Sequence, residues 1–259
     1  MSGLLLTIDV GNTNTKFALV QGEEIVQRWR LSTDANRTAD EYAVWLLQLL
    51  QIAGIERRAI TAAILATVVP PTLAELQGLC RRYFDLDPMV IGATGVDPGI
   101  RLDVDNPAEV GADRIVLSSA AAAIYAKDAI VVAFGTATTF NVVLDGGYVG
   151  GAIAPGINLA AEALYMAAAK LPRIAIEPPP GGRALAQGTV PSMQSGVFLG
   201  YVGLVEGLVS RITSEMGRAA TVVGTGGLAG LVIRHTDAIG HVDADLMVRG
   251  LALIHARNT

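Results

Sequence analysis

Eight consecutive residues near the N-terminus concentrate polar chemistry: Asp9, Val10, Gly11, Asn12, Thr13, Asn14, Thr15 and Lys16. They follow the apolar run from Leu4, so Asp9 stands at a strand end and Gly11 opens a turn. A tight turn exposes backbone N–H groups, hydroxyl and amide side chains add donors, and a lysine adds a point charge. That combination suits a phosphate chain, and Asp9 can hold Mg²⁺ directly or through water. A plain hairpin with an Asn-rich turn is the competing reading. The segment is neither GxxxxGK[ST] nor GxGxxG, so it is not one of those two nucleotide loops.

Further segments resemble partners for that turn. Gly135-Thr136-Ala137-Thr138-Thr139 offers small hydroxyl residues at a glycine turn. Gly224-Thr225-Gly226-Gly227 lies between an expected strand and helix, where Gly226 and Gly227 let the backbone approach a nucleotide. Either can equally be a bare turn. Glu109-Val110-Gly111-Ala112-Asp113-Arg114 precedes an Ala-rich helix. Asp113 can cap that helix, or it can orient and deprotonate a primary hydroxyl attacking a γ-phosphate. Arg114 can serve as a surface ion-pair partner or grip a substrate carboxylate with its planar fork.

The elements that must position these residues follow from patterning. Strands are expected at Leu4–Asp9, Lys16–Val20, Glu24–Leu31, Ile60–Val68 and Met89–Ile91, with helices at Ala39–Ala53, Leu73–Tyr83 and Asp113–Ala126. A second meander is expected at Ile130–Ala133, Thr139–Leu144 and Tyr148–Ile153, and a strand at Thr221–Val223. Helices are expected over Ala160–Lys170, Gln187–Val209, from Leu228 onward and over Asp245–Ala256. Ile8-Asp9-Val10-Gly11-Asn12-Thr13 aligns with Val132-Ala133-Phe134-Gly135-Thr136-Ala137, an offset of 133 − 9 = 124 positions. A duplicated unit explains this best. The expectation is an α/β chain of two domains, 1–117 and 118–259, with the ligand cleft between them.

Composition removes other classes. The net charge is −5, and the 19 Lys and Arg residues are scattered, so no nucleic-acid surface is expected. The Arg57-Arg58 and Arg81-Arg82 pairs read as solvated helix faces. One cysteine, Cys80, excludes an intramolecular disulfide and reads as packing. His235, His241 and His255 lack metal-ligand spacing. No window reads as a membrane span and the Met-Ser-Gly start shows no signal peptide, so a cytoplasmic location is expected.

The chain resembles the type III pantothenate kinases. The likeness rests on Asp9–Lys16, Asp105–Arg114, Phe134–Phe140, Gly150–Gly156, Met193–Gly196 and Thr225–Gly227, in order and spacing. The resemblance implies a duplicated ribonuclease-H-like fold of the actin and sugar-kinase class, with ATP in the cleft. It implies phosphorylation of the primary hydroxyl of pantothenate, the first step towards coenzyme A, by a homodimer using ATP, Mg²⁺ and a monovalent cation (K⁺ or NH₄⁺). It assigns Asp9–Lys16 and Thr136 to ATP and metal, and Asp113 to the general base. Val104, Gly111, Ala112, Arg114 and Thr189 are assigned to pantothenate, Thr189 from across a dimer interface.

The chain departs from the family at named positions. Ala133 and Asn141 replace carboxylates, the first of which normally binds the monovalent cation. Val104 replaces a common aromatic residue, Leu117 a common Asn, and Ala186-Gln187-Gly188-Thr189 a Gly-Lys-Asn-Thr-like segment. A diverged paralogue of the same fold, binding nucleotide, acting on another small hydroxy acid or serving as a non-catalytic regulatory protein, is the alternative.

Overall fold

Seven residues, Leu4–Val10, form strand β1, and all but Asp9 are buried. Burial on both faces marks a central strand. Strand β2 (Asn14–Gln21) pairs antiparallel with β1, and β4 (Ile60–Thr67) pairs parallel on its other side. Strand β3 (Glu24–Ser32) alternates between exposed and half-buried residues, as an edge strand does. With β5 (Met89–Val90) the sheet order is β3-β2-β1-β4-β5. The computed structural model describes residues 3–168 and 170–259. The Met-Ser start and Ala169, within the helix expected over Ala160–Lys170, lie outside the described residues.

Helix α1 (Ala39–Ile52) begins with a capping box, in which Thr38 and Glu41 each bond the other's backbone N–H. Its residues Ala39, Tyr42, Ala43, Leu46 and Leu50 recur at helical spacing and enter the first core with Phe17, Leu19 and Leu65. Helix α2 (Thr72–Leu79) continues into a π turn, Cys80–Phe84, and Asp85 ends it at φ 57°. Cys80 is buried there, as expected, and burial pushes its thiol up to about 12. A two-residue strand, β6 (Arg101–Leu102), interrupts the long loop before α3 (Ala112–Ile124).

The second meander comprises β7 (Ala129–Phe134), β8 (Ala137–Leu144) and β9 (Gly147–Pro155). Helices α4 (Ile157–Ala167), α5 (Thr189–Gln194) and α6 (Gly200–Met216) follow. Strand β10 (Thr221–Gly226), helix α7 (Ala229–Val232), β11 (His241–Val242) and α8 (Leu246–Arg257) complete the chain. The strands of this unit run β11-β10-β7-β8-β9, again with the first strand of the meander central.

The chain divides into two compact units, one reaching Ala120 together with Asp245–Thr259, the other Ala121–Ala244. Within the first, α8 lies so close to α3 that a Cβ on Gly250 would stand 2.7 Å from Val116 Cγ1.

One expectation needs correction. Residues Thr189–Met216 form 28 helical residues with an 18-residue window of mean hydropathy 1.3, long and apolar enough by length and composition to cross a membrane. The sequence reading stopped this helix at Val209, whereas it runs to Met216 and ends at Gly217, φ 68°. Its stripe of Phe198, Tyr201, Val202, Val205 and Val209 packs into the second core with Phe134 and Phe140. A core helix of a folded domain has that character.

Candidate functional site

The first unit gathers the charged residues. In the β1–β2 ladder Asp9 lies directly opposite Lys16, and the lysine Nζ is 3.2 Å from Asp9 Oδ2. Between them the chain turns at Gly11, whose N–H donates to the Asn14 carbonyl at 3.0 Å. Asn12 and Thr13 are exposed at the tip, while Thr15 is buried. The end of β4 flanks this turn, and the Val68 N–H donates to the Val10 carbonyl at 3.1 Å.

Asp113 occupies the first turn of α3, behind a short 3-10 turn at Pro107–Glu109. Its Oδ1 accepts the Arg114 N–H at 2.9 Å. Asp113 therefore bonds the backbone as a helix-start residue does, and it also faces the charged cluster. Burial raises its pKa, opposed by the Arg114 N–H and guanidinium and by Lys16. Asp9 behaves alike: burial raises it, Lys16 lowers it, and Asp113 raises it further. Two carboxylates and one ammonium thus share one electrostatic environment. Gly111 packs against them: a Cβ there would stand 2.7 Å from Asp113 Oδ1 and 3.6 Å from Val68 Cγ1, so a side chain would displace the carboxylate. Ala112 and Arg114 flank Asp113 in the same helical turn, and Val104 is half-buried between β6 and the 3-10 turn.

The second unit gathers the glycine and hydroxyl residues. Gly135 and Thr136 turn the chain between β7 and β8, and the Gly156 N–H donates to the Thr136 carbonyl at 3.0 Å. A Cβ on Gly156 would lie 2.4 Å from the Gly135 carbonyl oxygen. Gly226 ends β10 opposite Phe134, at φ 95°, where a Cβ would lie 2.4 Å from the Phe134 carbonyl oxygen. Thr136, Gly226 and the exposed Gly227 are therefore brought to one end of this sheet. Ala133 pairs with Thr139 and Thr225, and its side chain supplies no oxygen ligand. Asn141 is fully buried, and its amide donates to Thr139 Oγ1 at 3.1 Å.

Thr189 belongs to neither group. It opens α5 at the rim of a largely apolar groove of about 870 Å³, lined also by Leu164, Met193, Val197 and Leu204. Exposed Tyr165, Met166 and Leu185 lie on the segments around it.

Sequence reasoning missed Thr33. Its hydroxyl donates to the Gly11 carbonyl at 2.7 Å and lies 3.0 Å from Thr15 Oγ1, and its N–H donates to the Thr13 carbonyl at 3.0 Å. The strand register was the available signal, since Ser32 pairs with Asn14.

The fold resembles those of solved sugar kinases. A ROK hexokinase from Thermus thermophilus superposes with TM-score 0.52 at 13% identity, covering 99% of this chain and 100% of that one. An inorganic polyphosphate/ATP-glucomannokinase from Arthrobacter sp. strain KM gives TM-score 0.51 at 14% identity, covering 98% and 99%. In sequence the likeness is far closer. A type III pantothenate kinase from Paramagnetospirillum magneticum is 55% identical over 99% of this chain and 98% of its own. One from Rhodospirillum rubrum is 53% identical over 98% and 99%. The family pattern described as type III pantothenate kinase matches residues 5–211. The chain belongs to the type III pantothenate kinase family.

Proposed function

We propose that this chain transfers the γ-phosphoryl group of ATP to the primary hydroxyl of pantothenate, giving 4'-phosphopantothenate, the first step of coenzyme A biosynthesis. The observation that carries the reading is the cluster of Asp9, Lys16, Asp113 and Arg114, present in a member of this family. Asp113 takes the hydroxyl proton as the new oxygen–phosphorus bond forms and the bond from the γ-phosphorus to the bridging oxygen breaks, releasing ADP. Its raised pKa makes it a stronger base than an ordinary carboxylate, once ionised. Arg114 receives the pantothenate carboxylate, and Gly111 and Ala112 give close backbone approach. Val104 lines the same substrate and Thr189 reaches it from a second copy.

The turn from Asp9 to Lys16 receives the phosphates, and Thr136, Gly226 and Gly227 serve the nucleotide from the second unit. Among the described residues no three His, Cys, Asp or Glu side chains are gathered. Asp9 would hold Mg²⁺, a cation that takes one or two carboxylates together with substrate phosphates and keeps several waters. When bound, Mg²⁺ neutralises the charge developing on the phosphates.

The matching strand orders support a duplicated ribonuclease-H-like fold. Its halves are read at 1–117 and 118–259, with Asp245–Thr259 returning to the first compact unit. A homodimer built on the apolar groove, and a cytoplasmic location, complete the proposal. K⁺ or NH₄⁺ enters only if ligands other than residue 133 hold it. Ala133 and Asn141 favour a second reading, nucleotide binding without this turnover. ADP release with ATP, Mg²⁺ and pantothenate, titrated with K⁺ and NH₄⁺ beside Asp113→Asn, separates the two. Pantothenate-dependent turnover lost in the variant supports the kinase; nucleotide binding with no turnover under any cation supports the second reading.

A further inference from the structure

We propose that Thr33 is a positioning residue that clasps the phosphate turn shut. Within the turn from Gly11 to Asn14 the Gly11 N–H donates to the Asn14 carbonyl. The tip of the turn, Asn12 and Thr13, is exposed. Such a turn needs an external tie to hold its donors toward one point. Thr33 provides it through contacts that span the turn. The hydroxyl donates to Gly11 O at 2.7 Å, where the turn begins, and meets Thr15 Oγ1 at 3.0 Å, where it ends. The N–H donates to Thr13 O at 3.0 Å, between the two. One side chain therefore links the entry and exit of the turn while its backbone holds the tip.

The clasp is itself anchored. Thr33 directly follows β3, whose Ser32 is in register with Asn14. Arg37 Nη1 donates to the Ser32 carbonyl at 2.8 Å, and its guanidinium lies 5.4 Å from the centre of the Tyr42 ring in α1. The Arg37 N–H also bonds the Asp34 carbonyl at 3.2 Å. The segment from Thr33 to Arg37 is thus fixed to the sheet at one end and to the core helix at the other. The Gly11 and Thr13 carbonyls are thus held by the Thr33 hydroxyl and N–H, which fixes the backbone of the turn on the side of β3.

The inference rests on the reading of this turn as the phosphate site. Calorimetry with MgADP and a non-hydrolysable MgATP analogue tests it, alongside steady-state kinetics, for the unaltered protein, Thr33→Val and Thr33→Ser. Thr33→Val keeps the shape and the backbone bond to Thr13 but removes the hydroxyl. It is expected to weaken nucleotide binding and raise the ATP KM about five- to tenfold, the factor for one lost hydrogen bond. The pantothenate KM stays within about twofold, and Thr33→Ser restores nucleotide affinity to within about twofold, since the donor returns. Thr33→Ala repeats the test if valine does not fold. Nucleotide affinity unchanged in the hydroxyl-less variants overturns the clasp and leaves the phosphate site standing. A serine variant that is as weak as valine, or an equal rise in both KM values, also overturns it. An unaltered protein that binds neither nucleotide overturns the phosphate reading and the clasp together.

Discussion

The β1–β2 hairpin and the β7–β8 hairpin are built on the same backbone plan and differ in what they carry. Each occupies the centre of its sheet, and each has its next long strand parallel on the far side, β4 in one and β10 in the other. A register shift falls between Leu19 and Val20 where β2 pairs with β3, and between Val142 and Val143 where β8 pairs with β9, at corresponding places. The opening glycines are equivalent too: a Cβ on Gly11 or on Gly135 would lie 3.4 Å from a carbonyl oxygen of its own turn. The side chains diverge. Asp9 faces Lys16 across the first ladder, whereas Ala133 faces Thr139 across the second. The parallel neighbour differs as well, with Thr67 beside Val10 in one and Gly226 beside Phe134 in the other. The comparison teaches that two hairpins of like backbone share a turn, while the charge pair lies in one and the close backbone approach in the other.

The largest test removes the charge where it exists. Asp9→Asn is expected to lower kcat/KM by about a hundredfold or more, through loss of a cation-directing carboxylate. Steady-state ADP release measures it. Asn141→Ala in the other hairpin is expected to cost far less activity, because its amide bonds Thr139 and the Val131 carbonyl. Equal losses would erase the functional asymmetry between the two turns.

Next comes close approach. Gly226→Ala places a Cβ 2.4 Å from the Phe134 carbonyl oxygen at a positive φ of 95°. It is expected to destabilise the protein by about 2–3 kcal/mol. Gly11→Ala meets only an atom at 3.4 Å and is expected to cost less than about 1 kcal/mol. Denaturant unfolding of both variants checks the difference, and a Gly11 variant as unstable as the Gly226 variant would reverse the assignment of backbone approach.

Much of this contrast was legible in the sequence, and the illegible part has physical causes. Asp9–Lys16 is contiguous, so its chemistry could be read directly, and the missing carboxylate at Ala133 showed once the repeat was aligned. Thr33 could not be read in this way. It is 22 residues from Gly11, and only the β2–β3 register returns it to the turn. Gly156 and Gly226 were visible as glycines, but only the fold shows which carbonyls they approach. The Arg57-Arg58 and Arg81-Arg82 pairs are exposed as expected, yet they line one cleft of about 630 Å³ because the π turn after α2 brings the second pair to the start of β4. The length of the helix ending at Met216 was underread because Arg211 and Glu215 interrupt the apolar pattern before the glycine stop.

A smaller effect is one of pH. Burial raises the Asp9 pKa in the folded state, beyond what Lys16 lowers it. A carboxyl raised on folding penalises the folded protein above its folded pKa. The penalty fades as pH falls through that value towards the unfolded one, about 3.9. Asp9→Asn is therefore expected to unfold at a higher temperature than the unaltered protein at neutral pH. The advantage should shrink as pH is lowered towards 4, in contrast to its loss of activity. Thermal unfolding at a series of pH values checks this, and an advantage that grows on acidification would contradict the sign.

The smallest expected effect tests whether the second hairpin can accept the charge pair of the first. Ala133 is half-buried and faces Thr139 where the first copy has lysine. Ala133→Asp alone introduces a carboxylate with no cation opposite, and is expected to cost about 1–2 kcal/mol. Adding Thr139→Lys recreates the cross-strand pair, and the double variant should recover about 0.5 kcal/mol beyond the sum of the single changes. The recovery stays small because Thr139 also accepts from the buried Asn141 amide at 3.1 Å, a bond that lysine cannot accept. Replacing Asn141 with Val in the same background removes that stranded donor and should enlarge the coupling. A coupling of zero in both backgrounds would mean that backbone register alone does not make the two hairpins interchangeable hosts for charge. A positive coupling that grows with Asn141→Val would locate the barrier in one buried amide, which is where the two copies would then have parted chemically.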